Sequence, residues 1–487
     1  MIKSICILGG GTSGLVTALI LKKWHPSIEI TIVESSTVGI IGVGEGSTEH
    51  WSSFLSATRI SLKELITETD ATMKAGIKFD NWNGDGKFFM HALHAEYTES
   101  VSHGLSAIMV SEMIAGAEHL TPDNIINSLH YIPLNTSVNQ YHFDTNKLNT
   151  FLHKKCKEFG VHTIDADVVD VELDQEGYVK SLIDKDNTHY SADFFVDCSG
   201  FAKLIGSKLG AKWIDCKEYL PMDRAIAFPT EREEDIPSYT LSRALSSGWQ
   251  WRIPTQNRYG NGYVYSSEFL TEGQAIDEVQ KYYSEKINVA KSIKFSAGYT
   301  DKFWIKNCVS IGLSGSFVEP LEASSIGTSI QQAFGLGSSI LYWNRGETLI
   351  SNKYNEHFHK VATNIIDFVQ LHYVTKRNDS DFWKSCKSLK LTDFNQETLE
   401  HFKKTLPSGV HFSDPFILFK HTNWTQVMYG LEMFDMDSIR KFWNNMDPRL
   451  AEECTRLIAR TKQFQSSNPS FTHREALNFL MSKDFNG

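Results

Sequence analysis

The sequence predicts an α/β fold: a parallel-sheet core starting near the N-terminus, an inserted second sheet, and a mainly helical C-terminal region. Three observations predict it. Residues 2–34 read as strand, glycine turn, helix and strand. Strand-like runs return far along the chain, at 168–173, 179–183, 193–198 and 309–313. From about residue 355 onward the apolar residues recur at helical spacing. A length of 487 residues gives a soft prior of about three domains. Core strands joined across long insertions argue instead for one intertwined body. Residues 1–355 form the core with its inserted sheet, and residues 356–487 form a helical region packed on it.

Each element follows from its residues. Residues 2–8 are mostly apolar and β-branched, as in a buried strand. Residues 9–14 make a tight glycine turn, 15–23 have helical apolar spacing that stops near Pro26, and 29–33 form a second strand. Asp174-Gln175-Glu176-Gly177 between two strand-like runs signals a hairpin. Residues 193–198 form a buried strand ending in Ser199-Gly200. Another at 309–313 is followed by small residues and by helical spacing over 324–342. Residues 238–252 and 262–269 read as sheet facing a ligand.

Hydrophobic residues make up 41% and charged residues 22%, which excludes a disordered chain, collagen and a disulfide mini-scaffold. The formal charge of −10 argues against nucleic-acid or anionic-membrane partners. The seven cysteines form no C-x-x-C pair and no zinc spacing, so reduced thiols and no metal are expected. No apolar run reaches about 18 residues, and the N-terminal strand is no signal peptide; a cytoplasmic protein is expected. Aromatic residues reach 12%, which fits either a rich core or an aromatic-lined site.

Gly9-Gly10-Gly11-Thr12-Ser13-Gly14 fits G-x-G-x-x-G between strand and helix, and Glu34 ends the second strand. The glycines let the backbone approach a pyrophosphate, the helix N-terminus faces its charge, and the carboxylate accepts from a ribose. This makes the core Rossmann-like. A second glycine string (Gly42-Val43-Gly44-Glu45) and two late elbows favour FAD over NAD. The elbows are Asp197 through Gly200, and Ser310 through Gly312 and Gly315. The expected cofactor-binding residues are therefore Gly9, Gly11, Thr12, Ser13, Gly14, Glu34, Gly42, Val43, Gly44, Glu45, Asp197, Gly312 and Gly315.

Gly248-Trp249-Gln250-Trp251-Arg252-Ile253-Pro254 is the most specific string in the chain. It resembles the flavin-dependent halogenases of the tryptophan halogenase family. The resemblance continues, in the family's order, through Ala75 to Phe79, Tyr141 to Asp144, Glu319-Pro320-Leu321-Glu322, Ile366 to Tyr373 and Arg377 to Trp383. It implies an FAD-binding core of the glutathione reductase/p-hydroxybenzoate hydroxylase type with an inserted substrate-facing sheet. It also implies FADH₂ delivered by a separate flavin reductase. A flavin hydroperoxide and a halide ion give hypohalous acid, which passes through a tunnel to a small aromatic substrate.

The resemblance assigns roles residue by residue. Lys78 matches the catalytic lysine, and Glu322 the acidic partner that orients hypohalous acid or accepts the arenium proton. The amides of Ser324 and Ser325 bind halide. Trp249, Trp251 and Pro254 wall the flavin from the substrate. His91 and Phe79 fall in the substrate pocket, with a packed core histidine as the alternative for His91. Where the family reads Glu-Ser-Thr-Gly-Ile, this chain reads Glu322-Ala323-Ser324-Ser325-Ile326, and bromide or iodide is expected to serve at least as well as chloride. The Tyr-Tyr pair that grips free tryptophan is missing after Trp383, which implies an indole or another electron-rich aromatic as substrate. The competing readings are a flavin-dependent aromatic monooxygenase and a non-catalytic flavin-binding protein. Oligomeric state stays open, a homodimer included.

Overall fold

The computed structural model describes residues 2–39, 45–92, 131–133, 139–284, 286–445, 447–449, 452, 456 and 470–482. Gly42, Val43 and Gly44 lie outside the described residues.

The chain begins as predicted, with β1 (Ser4–Leu8), α1 (Thr12–Trp24) and β2 (Glu29–Glu34). β1 runs parallel to β2 on one side and to Phe194–Asp197 on the other, with Leu8 opposite both Val33 and Asp197. Cys308–Ser310 and His162–Asp165 extend the sheet in the same direction, and Trp304–Ile305 closes one edge antiparallel. Helices cover a parallel sheet on both faces, so its strands read as unbroken apolar runs. Because these strands share one direction, the elbows after Leu8, Asp197 and Ser310 all open at one sheet edge.

The inserted sheet has seven strands. Their order is Lys291–Lys294, Arg224–Glu231, Arg258–Tyr265, Gly248–Pro254, Tyr239–Leu245, Gly76–Asp80 and Phe88–Ala92. Only Tyr239–Leu245 and Gly76–Asp80 pair parallel; the other neighbours are antiparallel. The expected hairpin also forms, Val168–Leu173 with Val179–Asp184.

The boundary expected at residue 355 falls inside the helix Leu349–Leu371, and one continuous apolar cluster joins Ile5 to Leu477. The C-terminal helix His421–Gly430 packs directly on Phe88–Ala92, so closely that a β-carbon at Gly430 would enter the Phe89 ring. Aromatic side chains fill much of this core: Trp51, Trp82, Trp249, Trp304, Trp383 and Trp424 are all fully buried. Among the described residues no helix is long and apolar enough to cross a membrane.

Candidate active site

The dinucleotide cradle forms at the shared sheet edge. Gly9 has φ +113, and a side chain there would collide with the Cys198 carbonyl of the neighbouring elbow. A β-carbon at Gly11 would meet nothing within 4 Å, and the start of α1 has neither a side-chain cap nor an acid in its first turn. This is the donor set a pyrophosphate requires, so the residues fit FAD. Glu34 stands over Gly10, with His153 Nε2 3.3 Å from its carboxylate. Glu45 is held by backbone pairing opposite Phe143.

Four of the expected cofactor residues make contacts within the protein itself. Both Asp197 oxygens are taken, accepting from Ser199 N and Oγ and from Ile205 N and Gly206 N. Four donors use up the lone pairs of a carboxylate, so Asp197 shapes its elbow and has none left for a cofactor. The Ser13 hydroxyl lies 2.9 Å from Ser329 Oγ, tying α1 to the helix Ser324–Ser339. The Gly312 amide donates to Gln332 on that same helix, and Gly315 packs against Phe303.

The helix Ser324–Ser339 opens without a side-chain cap or a first-turn acid. A cavity of about 20 Å³ lies at this end, lined by Gly312, Phe317, Val318, Ser324, Ser325 and Thr328. The amides of Ser324 and Ser325 therefore offer a small anion a helix N-terminus next to a cradle elbow. Ala323, in the left-handed region at φ +53, makes the sharp turn between Glu322 and this helix.

Glu322 is 2% exposed and held by imidazoles. His91 Nδ1 lies 3.0 and 2.9 Å from its two oxygens, and His372 Nε2 lies 2.9 Å from Oε1. Asn423 fixes the tautomer of His91. Its Oδ1 accepts from the Lys420 amide, which turns Nδ2 toward His91 Nε2 at 3.0 Å. Nε2 therefore accepts, and Nδ1 carries the proton given to Glu322. Burial pushes the Glu322 carboxyl up, but His91 and His372 outweigh it and hold it down at about 2.

The lysine beside this carboxylate is Lys74. It is 1% exposed, and its Nζ donates to the Ser47 carbonyl at 3.1 Å. Burial lowers its pKa to about 8, with the charges of Glu322 and Glu49 acting in opposition. The assignment to Lys78 is corrected by the pleat of the sheet. In Gly76–Asp80, Ile77 and Phe79 face one side, paired across to His91 and Phe89. Lys78 faces the other side, with Nζ 4.0 Å over the Phe88 ring and 6.0 Å from Tyr239. A strand in this register cannot present both His91 and Lys78 to Glu322.

The sequence model of the tryptophan halogenases matches residues 4–442. The chain is 29% identical over 444 residues to the tryptophan 7-halogenase KtzQ of Kutzneria sp. (strain 744), covering 83% of this chain and 82% of KtzQ. A crystal structure of a tryptophan halogenase from Shewanella frigidimarina NCIMB 400 superposes with a TM-score of 0.88 at 28% identity, over 99% of this chain and 98% of that one. BrvH, a flavin-dependent halogenase from Brevundimonas sp. BAL3, gives 0.83 at 27% identity, over 99% of this chain and all of that one.

The chain belongs to the tryptophan halogenase family.

It is thus a flavin-dependent halogenase that works with FADH₂ and halide, a separate flavin reductase and an aromatic substrate. In this halogenase Trp249 and Trp251 lie on one face of Gly248–Pro254, their rings 6.2 Å apart and tilted by 55°. Trp251 is pressed onto Gly262, where any side chain would intersect its ring. The Pro254 carbonyl accepts from Thr72, anchoring the strand end two residues from Lys74.

His91 and Phe79, expected in the substrate pocket, both stand against the Glu322 cluster. His91 is fully buried with both ring nitrogens committed. Phe79 is fully buried too, with Phe89 and His372 both 4.9 Å from its ring centre. Both brace the Glu322 cluster, His91 by its hydrogen bond and Phe79 through the His372 ring. Sequence reasoning missed Lys74, His372 and Asn423. Alternation within Gly76–Asp80 was a usable signal against Lys78. Nothing local could have linked Asn423 to a strand over three hundred residues earlier.

Proposed function

We propose that this halogenase transfers X⁺ from hypohalous acid to an electron-rich aromatic such as an indole, with Lys74 and Glu322 as the catalytic pair. The observation that carries this reading is the buried ammonium of Lys74 beside a carboxylate held ionised. Reduced FAD, with dioxygen and halide, supplies the hypohalous acid. Gly9 to Gly14 and Glu34 hold the cofactor, and Ser324 and Ser325 hold the halide. The Lys74 ammonium donates to the oxygen of HOX. As the aromatic carbon bonds to the halogen, the O–X bond breaks and hydroxide leaves as water with the Lys74 proton. Glu322 takes the proton from the arenium carbon and returns it to Lys74. The pair ends as it began, and ArH + HOX gives ArX + H₂O.

The side chains around Glu322 differ from the family's Glu-Ser-Thr-Gly-Ile at Ala323 and Ser325, while the backbone donors are kept. We therefore expect bromide or iodide, which are easier to oxidise, to serve at least as well as chloride. Supplying FADH₂ through a generic reductase and screening aromatic compounds against Cl⁻, Br⁻ and I⁻ by mass spectrometry tests both points. Strict chloride use would overturn the halide expectation. Products heavier by one oxygen only would favour the monooxygenase reading.

A further inference from the structure

The position of the Lys74 ammonium depends on how the backbone beneath it is held. Lys74 N donates to the Gln140 carbonyl at 2.9 Å, and Ala75 N to the Ser238 carbonyl at 2.6 Å. The Met73 amide donates to a side chain instead, Nε2 of His473, at 2.9 Å. His473 is 2% exposed, opens the helix His473–Met481, and lies beyond the stretch that the family's sequence model matches. With Nε2 accepting, its proton is on Nδ1, which donates to the Ile236 carbonyl at 3.2 Å. The neutral ring thus bridges two backbone segments, around Met73 and Ile236, that Ala75 and Ser238 also join directly. Burial holds the imidazole down at about 4, so the bridge is intact near neutral pH. Nζ of Lys74 is tied to the same framework. Its acceptor, Ser47, trades two hydrogen bonds with Tyr141, the residue opposite Met73. Thr72 is pinned independently: its hydroxyl donates to the Pro254 carbonyl and accepts from Nδ1 of His142 at 3.2 Å. Loss of the His473 bridge would therefore shift the strand without releasing it.

We propose that His473 is a positioning residue for halogen transfer, a neutral donor–acceptor bridge that fixes the strand carrying Lys74 and so places its ammonium beside Glu322. The role rests on the reading of Lys74 above. Two properties suit an imidazole to this place. It presents one acceptor and one donor at two corners of a rigid ring. It does so without charge, which spares Lys74, one residue along from Met73, a second buried positive charge. A misplacement of about 1 Å can cost on the order of 10²-fold in rate. The flavin cradle stands on other strands, β1 and Phe194–Asp197, so oxidant formation is independent of this bridge.

The test uses the FADH₂-supplied holoenzyme with bromide and indole, in the presence of a β-diketone scavenger. It reads brominated indole and brominated scavenger per FADH₂ consumed, and hydrogen exchange at the Met73 amide by fragmentation mass spectrometry. His473→Leu should lower brominated indole on the order of tenfold, raise brominated scavenger and speed exchange at Met73. His473→Gln, which again offers an acceptor and a donor, should recover to within about threefold of the parent. In the Lys74→Ala background, His473→Leu should cost less than about twofold more, because both changes act through one residue. Thermal denaturation shows whether His473→Leu folds. If it does not, Thr472→Ala takes its place; it removes the cap that seats the ring and should lower brominated indole about threefold. Undiminished brominated indole overturns the proposal. So does a Gln variant no better than Leu, a full additional loss in the Lys74→Ala background, or a parallel loss of scavenged bromine. A parent that brominates no indole would refute the functional reading itself, while exchange at Met73 in the Leu and Gln variants would still decide whether the bridge holds the strand.

Discussion

Lys74→Ala is expected to cut halogenated product on the order of 10²–10³-fold, while Lys78→Ala stays within about threefold. The contrast follows from geometry. Lys74 is enclosed beside Glu322, whereas Lys78 lies over Phe88 on the opposite face of the same sheet. Turnover by the parent should decline as pH rises through about 8, where Lys74 loses the proton that makes hydroxide a good leaving group. The same residue burdens the fold. Its folded pKa is depressed below the ordinary 10.5, so burying the ammonium costs stability below pH 8, and the cost fades as pH rises from 8 to 10.5. A shift of this size corresponds to roughly 3 kcal/mol. Lys74→Met should therefore be inactive yet more resistant to urea at pH 7, with the advantage shrinking toward pH 10.5. Product mass spectrometry and urea melts at several pH values check both halves. If Lys74→Ala matches the parent, HOX released into solution does the halogenation and the site assignment is wrong.

Glu322→Gln is expected to lower turnover on the order of 10²-fold, because the amide cannot accept the arenium proton. Its effect on stability has the opposite pH sign to that of Lys74. Glu322 has a folded pKa below its unfolded value, so its contribution is fully present above about pH 4.5 and is lost as pH falls toward 2. The parent should thus lose stability steeply across that window, and Glu322→Gln should show a flatter acid limb. A deuterium isotope effect on the halogenated carbon, small in the parent, should grow in the variant as proton removal becomes slow. A variant with parental turnover and no isotope effect would assign the base role elsewhere.

The parts of the fold set by short-range pattern were legible from the residues. The β1–α1–β2 unit, the glycine turn, the hairpin at Asp174 to Gly177 and the paired faces of Trp249 and Trp251 all follow from periods and turn chemistry within a few residues. Glu322 and the helix after it were found because they share one motif. Lys78 rests on resemblance alone, through the string Ala75 to Phe79. Resolving it from Lys74 needed the inward face of the strand, and Ile77 and Phe79 mark that face. The imidazole pair and Asn423 were out of reach for another reason. Their meeting depends on the register of Gly76–Asp80 with Phe88–Ala92, and on where His421–Gly430 lands on that sheet edge. No local spacing records either.

The cluster around Glu322 also governs when the enzyme becomes dangerous to its cell. His91, Glu322, His372 and Asn423 are drawn from widely separated segments, and the last arrives on a C-terminal helix. Contacts of such sequence separation form late and slowly, because large loops must close first. A partly folded chain could bind flavin at its N-terminal elbow before that helix docks, and would then make oxidant with nothing to hold it. Conditions that slow the final docking, or truncations before residue 421, should therefore yield a leaky oxidase rather than an inert fragment.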